Sequence, residues 1–96
     1  MSVAGSQQRA FLQLLARLRP YWRRDASLPA RIQQVLAAHR GFGSRDRRLY
    51  RELIYTTVRF LPWIEPLLVS QPEEAVRRVA WLSAETPATH AFRAAF

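Results

Sequence analysis

The segment from Ser44 to Leu61 constrains the fold of this chain more than any other. At about 100° per residue, Leu49, Tyr50, Leu53, Ile54, Thr57, Phe60 and Leu61 fall within one arc of about 140°. Arg47, Arg48, Arg51, Glu52, Tyr55 and Arg59 occupy the other side. An alternating strand would scatter these apolar residues over both faces, so the pattern predicts a core helix with a basic back, capped by Ser44. Asp46 in the first turn suits the helix dipole, whereas Arg45, Arg47 and Arg48 oppose it, so helix stability alone does not account for them. Five arginines, Arg40, Arg45, Arg47, Arg48 and Arg51, meet one acid between positions 40 and 51. Two readings stay open: a phosphate-binding face, or a solvated face tied by spacings such as Arg48 to Glu52.

The same period runs through the rest of the chain, and no Asn-Gly or Asp-Gly hairpin signal interrupts it. The expected architecture is all-α, a compact bundle of five to six short helices. The first is predicted from Gln7 to Arg19, with Ser6 as cap. It buries Ala10, Phe11, Leu14, Leu15 and Leu18, presents Arg9, Gln13 and Arg17 outward, and stops at Pro20. The second starts at Ser27, with Pro29 in its first turn, and buries Leu28, Ile32, Val35 and Leu36 up to His39. After Pro62 a short fourth helix runs through Trp63, Ile64, Leu67 and Leu68 to about Val69. Pro72 opens a fifth that buries Ala75, Val76, Val79, Ala80 and Leu82, and Thr86-Pro87 opens a sixth. The chain stops on an amphipathic segment ending in Phe96, which raises the expectation of a piece of a longer polypeptide.

Charge narrows the partners. All fifteen basic residues are Arg, the formal charge is +8, and the 96 residues amount to one domain, 1–96. Residues 1–60 hold twelve Arg against Asp25, Asp46 and Glu52, while 61–96 hold three Arg against four Glu. One half of the chain carries the whole excess, which attracts a polyanion, either nucleic acid or an anionic membrane surface. No stretch approaches a membrane span and the N-terminus lacks a secretory pattern, so a cytoplasmic protein is expected. Between Arg19 and Ser27, Tyr21 and Trp22 interleave with arginines; they can stack unpaired bases or pack beneath neighbouring helices.

Chemistry finds no foothold. There is no Cys, and His39 and His90 are too few and too far apart for a metal site; His39 reads as a core or boundary residue. Gly41-Phe-Gly-Ser lacks phosphate-loop spacing. Glu73 and Glu74 are adjacent, about 100° apart on a helix, and cannot converge on one substrate atom. No catalytic residue, metal or cofactor is expected for this chain alone.

From Ser44 the sequence reads Ser-Arg-Asp-Arg-Arg-Leu-Tyr-Arg-Glu-Leu-Ile-Tyr-Thr-Thr-Val-Arg. It resembles the signature helix of the NusB-like RNA-binding domain, most of all the version at the N-terminus of the RsmB (Sun, Fmu) ribosomal RNA cytosine-C5 methyltransferases. Ser44, Asp46, Arg47, Leu49, Glu52, Leu53, Tyr55 and Arg59 match that pattern, and Thr56 stands where the family has Gly. Arg9 and Leu15, Ala26-Ser27-Leu28, Ile64 to Leu68 and Pro87 to Ala91 resemble further family stretches in the same order, so the resemblance covers residues 9–96.

The resemblance implies an RNA-binding accessory domain, with ribosomal RNA as partner. In the family an S-adenosylmethionine-dependent methyltransferase domain, absent here, follows it. The candidate phosphate contacts are Arg9, Arg17, Arg45, Arg47, Arg48 and Arg51, which would position the RNA rather than read its sequence, with Tyr21 and Trp22 as stacking candidates. Arg59 is expected in an ion pair or a helix-end contact. The alternative is a protein-interaction module of the antiterminator type, docking on a partner domain or ribosomal protein. A helix-turn-helix DNA reader fits less well, because the third helix is committed to the core.

Overall fold

The computed structural model describes residues 2–23, 25–39 and 41–96; of the arginines counted above, Arg40 lies outside them, as does Arg24 in the connection after the first helix. Six helices follow one another: α1 (Val3–Leu18), α2 (Leu28–Ala38), α3 (Ser44–Arg59), α4 (Leu61–Ser70), α5 (Pro72–Leu82) and α6 (His90–Ala95). The described residues form no strand. The radius of gyration is 12.4 Å, close to about 2.2·N^0.38 Å for one folded domain of this length.

One apolar cluster holds the helices together. Phe11, Leu14, Leu15 and Leu18 of α1 meet Ile32 and Leu36 of α2, Leu49, Leu53 and Ile54 of α3, Ile64 of α4, Val76 and Val79 of α5 and Phe92 of α6. Each fully buried side chain of this size contributes about 1.5–3 kcal/mol relative to exposure. α4 and α5 pack most closely, and Ala75 and Ala80 are the small buried residues on α5.

Several boundaries differ from the sequence expectation, each for a local reason. α1 starts at Val3 because Ser2, not Ser6, supplies the cap: its hydroxyl accepts from the Gly5 N–H at 3.0 Å. α3 has Gly43 at the capping position, so Ser44 is already helical and caps nothing. Ser27 does precede α2, but its hydroxyl donates to Asp25 instead of capping. Leu82, expected in the core, is exposed at the last position of α5. Phe60 is half-buried, and Thr56 joins Thr57 in the core. Both threonine hydroxyls donate back to the carbonyls of Glu52 and Leu53 at 2.8 Å, which satisfies them inside the apolar stripe.

Thr86, expected to open the sixth helix, instead closes a turn before it: α6 has Thr89 at its capping position, and Thr86 and Thr89 bind each other as a reciprocal pair. Its hydroxyl accepts from the Thr89 N–H at 3.2 Å, and the Thr89 hydroxyl accepts from the Thr86 N–H at 2.9 Å. A turn through Pro87 and Ala88 follows before α6 proper begins at His90.

Candidate nucleic-acid interface

The outer face of α3 follows from its buried face. With Leu49, Tyr50, Leu53, Ile54, Thr56 and Thr57 turned inward, the arc opposite at about 100° per residue holds Arg48, Arg51, Tyr55 and Arg59, with Arg45, one turn before Arg48, at its margin, all exposed. Three of the six candidate arginines, Arg45, Arg48 and Arg51, therefore share one helix face. Arg47 sits at its edge: it is half-buried, and its Nε is closed off from solvent without a hydrogen-bond partner among the described residues.

Among the described residues, neither acid of α3 forms an ion pair with this face. Glu52 does not pair with Arg48; its Oε1 accepts from the Ala84 N–H at 3.4 Å. Asp46 Oδ1 accepts from the Gln7 side chain, also at 3.4 Å. Among the described residues the ion pairs join Arg23 to Glu65, Arg31 to Asp25, Arg77 and Arg78 to Glu74, and Arg93 to Glu85, which the His90 ring also contacts. None involves a candidate arginine. Arg59 is the last residue of α3, where a cation suits the dipole, but it too has no ion pair among the described residues.

Two further candidates are on α1. Arg9 is exposed on the side of α1 away from its buried stripe. Arg17 is exposed as well, and its Nη1 lies 3.3 Å from His39 Nε2, so it donates to the ring. His39 ends α2 half-buried and stacks on Phe42, with centroids 4.8 Å apart and planes 9° from parallel. It occupies the boundary position its spacing predicts.

The two stacking candidates have other partners. Trp22 is only 6% exposed, and its Nε1 donates to Glu65 Oε2 at 2.9 Å. Arg23 binds the same carboxylate, and this contact before all others holds Glu65 below the usual carboxylate range. Trp22 is thus a packing residue that pins the connection after α1 to α4, which corrects the stacking expectation. Tyr21 is partly exposed, but the Arg31 guanidinium lies 3.9 Å over its ring centroid and occupies one face.

Sequence reasoning placed Tyr55 on the outer arc without giving it a role. It is 37% exposed and, with Arg51, forms one wall of a cleft of about 460 Å³ whose other wall is Pro29, Ala30 and Gln33 of α2. Two other exposed aromatics had no binding role in the sequence reading, which placed Trp63 with the apolar residues of the fourth helix. Trp63 and Trp81, 70% and 79% exposed, line a groove of about 680 Å³ with Phe60, Leu82 and Phe96. Arg77 and Arg78 stand at this groove, sharing Glu74. The signal for Trp81 was available: it falls outside the Val76, Val79 and Ala80 stripe of α5.

Among the described residues no group of three or more metal-ligating side chains comes together, and no helix is long and apolar enough to cross a membrane. Comparison with protein-family models, with curated proteins and with solved structures finds no match to this chain.

Proposed function

We propose that this chain binds structured RNA, ribosomal RNA in the first instance, through the outer face of α3. The observation that carries this reading is that Arg45, Arg48 and Arg51 share an exposed helix face while the acids on their own helix, Asp46 and Glu52, hydrogen-bond elsewhere. Guanidinium groups left in this state match phosphate oxygens in charge and geometry. The similarity to the NusB-like domain of RsmB-type methyltransferases supports the same reading and supplies its context. In that context the chain provides affinity and orientation, and a separate S-adenosylmethionine-dependent domain provides the chemistry.

The test is binding of this chain to a structured ribosomal RNA fragment and to a length-matched DNA duplex, at low and moderate salt. Tighter binding to the RNA, weakened in an Arg45→Gln/Arg48→Gln/Arg51→Gln variant with an unchanged helical spectrum, is expected. Equal binding by that variant removes the assignment of the face.

One observation favours docking on a partner domain as a second reading. The Trp63–Trp81 groove exposes large apolar surface, and the two arginines at it, Arg77 and Arg78, are both paired with Glu74. Tryptophan and arginine together are the residue types most enriched at protein–protein hot spots. Docking there would be nearly independent of salt, which separates it from phosphate binding.

A further inference from the structure

We propose that the cleft between α2 and α3 is a site for one unpaired nucleotide, in which Tyr55 stacks the base, Gln33 meets its edge and Arg51 holds its phosphate. The inference rests on the RNA-binding reading and specifies what α3 recognises.

The cleft combines three chemistries that a bare basic face lacks. Tyr55 offers an aromatic surface: among the described residues neither a second ring nor a guanidinium stacks on it, in contrast to Tyr21 and Phe42. Every base has a π-face, so a single exposed ring at a phosphate-binding surface favours single-stranded over duplex nucleic acid. Arg51 precedes Tyr55 by four residues and therefore lies one turn away on the same face. It has no carboxylate partner among the described residues. On the opposite wall Gln33 is exposed. Its amide carries both donors and an acceptor, as the Watson–Crick edge of a base requires. Pro29, Ala30 and the buried Ile32 complete an apolar side. The volume of about 460 Å³ lies within the roughly 300–1,000 Å³ typical of small-ligand clefts.

Stacking and phosphate contacts leave different marks, so they can be separated. Stacking is neutral and does not change the salt slope. Each phosphate held by an arginine contributes about 0.7 to that slope on a single strand. The probe is a short single-stranded oligoribonucleotide with one 2-aminopurine, whose fluorescence is quenched on stacking; a perfectly paired RNA duplex of the same length is the control. The wild-type chain and Tyr55→Phe are expected to bind the single strand more tightly than the duplex and to quench the probe. Tyr55→Ala and Tyr55→Leu are expected to lose about fivefold to a hundredfold in affinity, to lose the quench, and to keep the salt slope. Tyr55→Leu keeps apolar cover over α3 and serves if the alanine variant is poorly folded. Arg51→Gln is expected to lower the slope by about 0.7.

If Tyr55→Leu binds and quenches like the wild type while Arg51→Gln still lowers the slope, the nucleotide site is overturned and the RNA-binding face stands. If the duplex binds as tightly as the single strand, the site is likewise overturned. If neither RNA binds at low salt, both readings fall together.

Discussion

Trp22 and Asp25 show how much of this structure is decided by single side chains between helices. Trp22 is buried under its neighbours and gives its one N–H to Glu65, forty-three positions away. Trp22→Ala is expected to cost about 3–5 kcal/mol by urea denaturation. Trp22→Phe keeps most of the packing and should lose about 1.5–3 kcal/mol for the hydrogen bond to a charged acceptor. RNA affinity of a folded Trp22→Leu variant, which removes the ring, should not change; a clear loss would return Trp22 to the binding surface. Asp25 accepts from the Ser27 hydroxyl and backbone N–H and pairs with Arg31, and these contacts hold its carboxyl down to about 2. The folded value thus lies below the ordinary value of about 3.9. Its contribution is present above about pH 4 and is lost as the pH falls through about 2. Asp25→Asn is expected to flatten the stability profile across that window, and an unaltered acid limb in urea midpoints would contradict the assignment.

At the scale of the element, α4 carries the clearest conflict between local preference and tertiary context. Pro62 is in its first turn, where a missing N–H is harmless, but Pro66 lies inside the helix. An interior proline is disfavoured by about 3 kcal/mol relative to alanine, partly offset because proline also restricts the unfolded chain. Pro66→Ala is therefore expected to raise the urea midpoint, and a lowered midpoint would show that the proline ring packs to more effect than its backbone costs. Helix existence was legible throughout, because the apolar residues of α1, α2, α3 and α5 recur at helical spacing. Helix ends were less so: whether Ser2, Ser6, Ser27 or Ser44 caps depends on which donor or acceptor reaches it, and Asp25 claims Ser27. Arg48, Arg51 and Arg59 on the outer face of α3 could also be read from period alone, but period put Arg47 there, which is half-buried, and left out Arg45, which is exposed. The partners of Trp22, Tyr21 and Arg17 could not be read, since each pairing joins residues that only the folded chain brings together or that sit on different elements.

For the molecule as a whole, the separation of charge along the sequence becomes a separation between unpaired and paired arginines. Among the described residues, the helix-borne arginines without ion pairs belong to α1 and α3, whereas each cation of α5 and α6 shares a glutamate. A 96-residue domain has a folding stability of about 5–14 kcal/mol, so a bound ligand shifts it measurably. An RNA held at a hundred times its Kd should add about 2.7 kcal/mol, seen as a higher melting temperature. That increment should shrink as salt rises; an increment that survives high salt would point to the Trp63–Trp81 groove instead.

The most direct test of the central claim, that the outer face of α3 holds phosphates, is the slope of log K against log salt for ribosomal RNA binding. It should be measured for the wild-type chain and for the Arg45→Gln/Arg48→Gln/Arg51→Gln variant. Removing one arginine from a phosphate should flatten the slope by about 0.7–0.9, so removing three should flatten it by about 2 or more. A variant with the wild-type slope, or a wild-type chain whose binding ignores salt, would contradict the claim.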